Sequence, residues 1–82
     1  MTETEEIIRT ILVSIGQAPV PSSATASLYD AGVIDSFGVI DLVSSLEKAF
    51  NFQVEDQEMV PMRFQTIAQI TEFVAAKLQQ NL

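Results

Sequence analysis

Val39, Leu42, Val43, Leu46 and Phe50 follow one another at i, i+3, i+4, i+7 and i+11. Only a chain turning every 3.6 residues brings such a set onto one face, so this stretch predicts an amphipathic helix of roughly four turns. It is expected to open at Ser36 and to end near Asn51. Two further stripes flank it. Ile8, Ile11, Leu12 and Ile15 lie on one side of a first helix over residues 3–15, opened by a Thr2–Glu5 capping box and stopped by Gly16. Ile67, Ile70, Val74 and Leu78 form the last stripe, with Phe73 on its flank and a capping box between Thr66 and Gln69. The acidic "EDQEMV" before Pro61 predicts one short helical turn, capped by Asp56. No segment alternates as a strand would. The expected fold is all-α, a small four-helix bundle of three main helices and a short third one.

The chain has to hold this fold together with its core alone. At 82 residues and 48% hydrophobic content it suffices for one domain, residues 1–82, and it contains neither cysteine nor histidine. Disulfides are thereby impossible, and zinc, haem and thiol chemistry lose their usual ligands and nucleophiles. No stretch has the acidic spacing and bending glycine of a Ca²⁺ loop. A net charge of -7 repels nucleic-acid phosphates and anionic lipid, and it favours partners with basic surfaces. The acidic "MTETEEIIRT" has neither the basic region of a signal peptide nor the apolar length of a membrane span. A cytoplasmic monomer is the expectation.

Between the first two stripes lies "GQAPVPSSATASLYDAGVID", twenty residues with two prolines, two glycines and no periodicity. So long a loop in so small a domain is unusual and points to a functional segment. Leu28, Val33 and Ile34 are the bulky aliphatics of its second half, and they are expected to plug into the core and fix where Asp35 and Ser36 emerge. Asp and Ser are both strong N-cap residues, so a cap alone would account for the pair. A nucleophilic Ser36 would need an adjacent base, and there is no histidine to serve. Lys48 is twelve residues further along the same helix, about 18 Å at the helical rise. Lys77 could approach only through the tertiary fold. The other option is attachment: a helix start, with free N–H groups and the positive end of the dipole, suits a phosphate carried on Ser36.

"LYDAGVIDSF", Leu28 to Phe37, followed by Leu42-Val43 and Leu46-Glu47, resembles the acyl carrier protein signature. The resemblance extends to the order helix, long loop, serine at the start of helix two, short helix three and closing helix. It implies that Ser36 receives 4′-phosphopantetheine from coenzyme A through a phosphopantetheinyl transferase and Mg²⁺. It further implies that acyl or aminoacyl groups ride on the arm as thioesters, that other enzymes load and process them, and that the protein itself catalyses nothing.

Two positions depart from the usual pattern. Phe37 stands where the family commonly has Leu, and Gly38 where fatty-acid carriers often have an acidic residue; Lys48 likewise interrupts an acidic run common in those carriers. These departures favour a carrier of a specialised pathway over the housekeeping carrier of fatty-acid synthesis. An acidic interaction module without a prosthetic group is the other alternative. Asp35, Asp41 and Glu47 follow the exposed side of the second helix and would steer basic partners, although solvated surface charge accounts for them equally. Gly38 would admit close approach of a partner backbone, or is simply tolerated in the first turn. Taking roughly 100° per residue, Phe37 points away from the Leu42, Val43, Leu46 and Phe50 side and Ile40 sits at its border, so both are expected at a partner surface beside Ser36.

Overall fold

The computed structural model describes residues 3–80. Its elements are α1 (Glu3–Ile15), α2 (Gly38–Phe50) and α3 (Ile67–Gln80), with two 3₁₀ turns, Asp56–Glu58 and Pro61–Phe64, between the last two helices. No strand occurs among the described residues. The architecture is the small helical bundle expected, with its short third element divided into two turns. Pro61 explains the division: it has no N–H to extend the preceding turn, and its fixed φ suits the first position of a new one. The Thr2–Glu5 capping box falls outside the described residues.

One buried cluster joins the elements. Ile8 and Leu12 of α1 meet Val39, Leu42, Val43 and Leu46 of α2 and Ile67, Ile70, Phe73 and Val74 of α3. Helix α1 packs against both other helices, which touch each other less. Phe50 is only half-buried, at the end of a series of rings: it stacks on Phe52 at 6.1 Å, Phe52 meets Phe73 edge-on at 6.4 Å, and Phe64 meets Phe73 at 5.3 Å. Phe52 and Phe64 are buried core residues that lie outside the α-helices, so no helical spacing marks them.

The long loop is pinned as expected. Leu28, Val33 and Ile34 are buried in the cluster, each removal from water being worth about 1.5–3 kcal/mol. Around them the backbone is held at both ends. Gln17 N–H donates to Val33 O at 3.0 Å, Leu28 N–H to Gln65 O at 2.7 Å, and Ala68 N–H, in the first turn of α3, to Ala24 O at 2.9 Å. Arg9 on α1 adds a fork, with Nη1 donating to Pro21 O and Nη2 to Ser22 O, both at 2.8 Å, while its Nε pairs with Glu5. Gly32 sits at φ 75°, a left-handed turn that a residue with a Cβ resists. Gly16 stops α1 where a Cβ would lie 2.5 Å from Leu12 O and 3.0 Å from the Val33 side chain, so the loop closes directly over it.

Several boundaries differ from expectation in ways the hydrogen bonds explain. The regular span of α2 begins at Gly38, and Ser36 and Phe37 form the entry turn before it, closed by Asp35, whose carboxylate accepts from Phe37 and Gly38 N–H and whose carbonyl accepts from Val39 N–H. It ends at Asn51, whose φ of 57° is a left-handed cap. The Thr66–Gln69 box closes reciprocally, each backbone N–H donating 3.1 Å to the other side chain. The first 3₁₀ turn is capped from Glu55 instead of Asp56, with Glu58 Oε1 folding back to accept from Glu55 N–H at 2.9 Å. On α3, Leu78 is exposed and Lys77 takes the buried position. At roughly 100° per residue position 77 lies at the centre of the stripe of Ile70, Phe73 and Val74, and 78 at its edge. The Lys77 stem lies inside while its Nζ donates to Glu58 Oε1 at 2.9 Å.

Glu58 is thus doubly bonded, and the Glu55 N–H first, then Lys77, hold its carboxyl below the ordinary value of 4.5. A depressed folded-state value means that its stabilisation is complete above pH 4.5 and is lost as pH falls through the lower value. Urea midpoints measured between about pH 6 and pH 3 should therefore fall less steeply in Glu58→Gln than in the wild type. Lys77→Met, which keeps the buried stem, should narrow that difference without abolishing it.

The two faces of α2 make a second test. Leu46→Ala empties a fully buried position and should cost about 2–5 kcal/mol in urea unfolding, whereas Phe37→Ala and Ile40→Ala, at exposed sites, should each cost on the order of 1 kcal/mol or less.

Candidate functional site

Ser36 stands exposed in the turn between the pinned loop and α2. Its position follows from its neighbours. Val33 and Ile34 anchor the chain just before it, Val39 and Leu42 just after, and Asp35 closes the turn: Oδ1 accepts from Phe37 N–H at 3.0 Å and Gly38 N–H at 2.7 Å, while Asp35 O accepts from Val39 N–H at 3.1 Å. The cap is therefore Asp35. The Ser36 hydroxyl makes no hydrogen bond with any described residue and is left to solvent.

This arrangement corrects one electrostatic expectation. The first amides of α2 are not open to a phosphate, because Asp35 occupies those of Phe37 and Gly38, and Val39 and Ile40 donate to Asp35 O and Phe37 O. The positive end of the dipole already faces a carboxylate. A phosphoester on Ser36 fits the site through the free hydroxyl and the open space around it, without a cradle of backbone amides.

Phe37 is 79% exposed and Ile40 57%, so two large apolar side chains stand in water beside Ser36. Asp41 is exposed next to them. Gly38 is half-buried against Ile34, and a Cβ there would meet Asp35 Oδ1 at 3.4 Å, close to ordinary contact, so the fold does not demand a glycine. Glu47 has a different occupation: its Oε2 accepts from Val54 N–H at 2.9 Å, tying the chain after α2 back onto the helix. Of the sequence-derived set, Asp35, Phe37, Gly38, Ile40 and Asp41 thus gather round Ser36, and Glu47 is drawn to the opposite end of α2. Lys77 is held on Glu58 and not on Ser36.

Sequence alone leaves open whether Asp35 or Ser36 caps the helix, although an Asp three residues before Gly38 is at the reach of an N-cap side chain. Tyr29 was missed as a brace. Its hydroxyl donates to Pro61 O at 2.8 Å, joining the loop to the second 3₁₀ turn, and burial raises its pKa above the ordinary 10.0.

Residues 6–74, which include this turn and most of the bundle, match the family described as phosphopantetheine attachment site. The chain belongs to that family. Its prosthetic group is a covalently attached 4′-phosphopantetheine, and its members serve as carriers. Among curated proteins the chain is similar to the D-alanyl carrier proteins of Streptococcus pyogenes serotype M5 (strain Manfredo), serotype M49 (strain NZ131) and serotype M1, each 38% identical over 47 residues. The aligned stretch spans 57% of this chain and 60% of the length of those relatives. An acyl-carrier-type helical bundle with a free serine ahead of its second helix is consistent with both comparisons.

Proposed function

We propose that Ser36 is the attachment residue and that the protein presents acyl or aminoacyl groups to partner enzymes without catalysing a reaction of its own. The observation that carries this reading is the free, exposed Ser36 hydroxyl at a turn whose cap is supplied by Asp35. When bound, the 4′-phosphopantetheine supplies the thiol that the cysteine-free chain lacks, and holds its cargo there as a thioester. The chain's own residues hold the hydroxyl outward and keep the loop from covering it. They offer no base to Ser36, since Lys77 is engaged by Glu58, so proton removal falls to a phosphopantetheinyl transferase.

The similarity to D-alanyl carrier proteins favours an aminoacyl or other specialised cargo over the intermediates of fatty-acid synthesis, and so do Phe37 and Gly38. Phe37, Gly38, Ile40 and Asp41 form the docking surface in this reading, with Asp35 at its edge and Glu47 outside it. Its partners are the transferase and loading enzymes with basic surfaces, drawn by the net charge of -7. The work is assigned to the cytoplasm, where coenzyme A is at hand; no described helix is long and apolar enough to cross a membrane.

Incubating the apo protein with coenzyme A, Mg²⁺ and a promiscuous transferase should add one arm to the wild type and none to Ser36→Ala, read by intact mass. An arm on the variant, or none on the wild type, would remove Ser36 from this role. Steering makes a separate demand on kinetics. Asp41→Lys should lower kcat/KM of the transferase, and added salt should slow the wild type more than the variant by screening; Glu47 is unsuited to this test because its reversal would also break the bond to Val54.

A further inference from the structure

The turn that presents Ser36 contains two residues able to cap the same helix, and only one does so. Asp and Ser are both strong N-cap residues, and they are adjacent here. The carboxylate of Asp35 takes Phe37 and Gly38 N–H at 3.0 and 2.7 Å, and with both amides occupied the Ser36 hydroxyl has no reason to turn inward. Without that carboxylate the freed amides of the first turn would lack an acceptor, and the serine hydroxyl one position on is the nearest side chain of the right chemistry.

We propose that Asp35 is the positioning residue of the attachment site, its carboxylate out-competing Ser36 for the helix cap and so holding the Ser36 hydroxyl in the outward, reactive position. The proposal rests on Ser36 being the attachment residue. In the transfer concerned, Ser36 Oγ bonds to the phosphorus that carries the pantetheine arm in coenzyme A. The bond from that phosphorus to the bridging oxygen breaks, 3′,5′-ADP leaves with the electron pair, and the hydroxyl proton passes to a base of the transferase. A hydroxyl engaged as a cap must first give up its hydrogen bond, so loss of Asp35 acts on the chemical step after docking.

The roles of cap and surface charge separate by substitution. Asp35→Asn keeps an oxygen able to accept from both amides but removes the charge, Asp35→Ser restores a strong cap by another group, and Asp35→Ala removes the cap altogether. With full-length apo protein as the varied substrate, Asp35→Ala should lose about tenfold in the transferase kcat, while Asp35→Asn and Asp35→Ser stay within about threefold of the wild type. Amide hydrogen exchange on the unmodified proteins gives a readout independent of the transferase. The Phe37 N–H should be protected in the wild type and in Asp35→Asn and should exchange freely in Asp35→Ala, with urea unfolding showing that all variants are folded under assay conditions. Equal kcat losses in Asp35→Asn and Asp35→Ala, or a loss in Asp35→Ala confined to KM, would overturn the proposal and make Asp35 a docking charge. A wild type that never gains the arm would instead overturn the Ser36 assignment, and this inference with it.

Discussion

Burial of Leu28, Val33 and Ile34 in the seam of the bundle is the constraint on which the remaining features depend. A twenty-residue connection ordered by its own backbone would cost about 1–2 kcal/mol per residue in conformational entropy. Three aliphatic anchors, the carbonyls held by Arg9, and the bonds to Gln65 and Ala68 oppose that cost and tie the connection to all three helices. The anchoring also positions the turn, because Ile34 is buried immediately before Asp35 and Val39 one turn later, and the four residues between them cross the surface. Ser36 is exposed for that reason. With the chain so anchored, Phe37 stands outside the core.

The charges of the chain fall into two kinds. Arg9 with Glu5, one helical turn apart, and Lys77 with Glu58, nineteen residues apart, are structural pairs, each supported by further hydrogen bonds and largely shielded from water. Such shielding weakens the screening that exposed pairs undergo. Asp41 and Lys48, by contrast, stand exposed on α2. The surface beside the serine therefore combines large apolar side chains with acidic charge.

For a carrier the absence of cysteine and histidine is coherent with the rest of the design. A chain whose reactive sulfur arrives on a prosthetic arm has no need of a competing thiol, and a helical bundle held by aliphatic and aromatic packing needs no metal or disulfide to fold. Membership in the phosphopantetheine attachment-site family gives that arm its chemical identity. Similarity to D-alanyl carrier proteins covers little more than half of the chain.

Local chemistry determined the helices. The stripes of α1 and α2, the stop at Gly16, the Asn51 terminus and the Thr66–Gln69 box depend on residues within one or two turns of each other, and spacing along the chain encodes such contacts directly. Ser36 and its setting were legible for a related reason, since the acyl-carrier signature is a contiguous run. What spacing could not rank were alternatives of similar local merit, Asp35 or Ser36 as the cap of α2 and Glu55 or Asp56 as that of the first 3₁₀ turn. The hydrogen bonds of Asp35 to Phe37 and Gly38 settle the first, and the reciprocal bonds between Glu55 and Glu58 the second. Glu58 holds the Lys77 ammonium from nineteen residues away, the amide of Val54 binds one oxygen of Glu47, and the rings of Phe52 and Phe64 enter the core from segments without helical period. Sequence by itself thus determined the three helices and the serine between the first two. Only the tertiary structure decided that Asp35 would close the turn and leave that serine free, because the direction in which the anchored loop delivers the chain selects between two caps that are nearly equal in isolation.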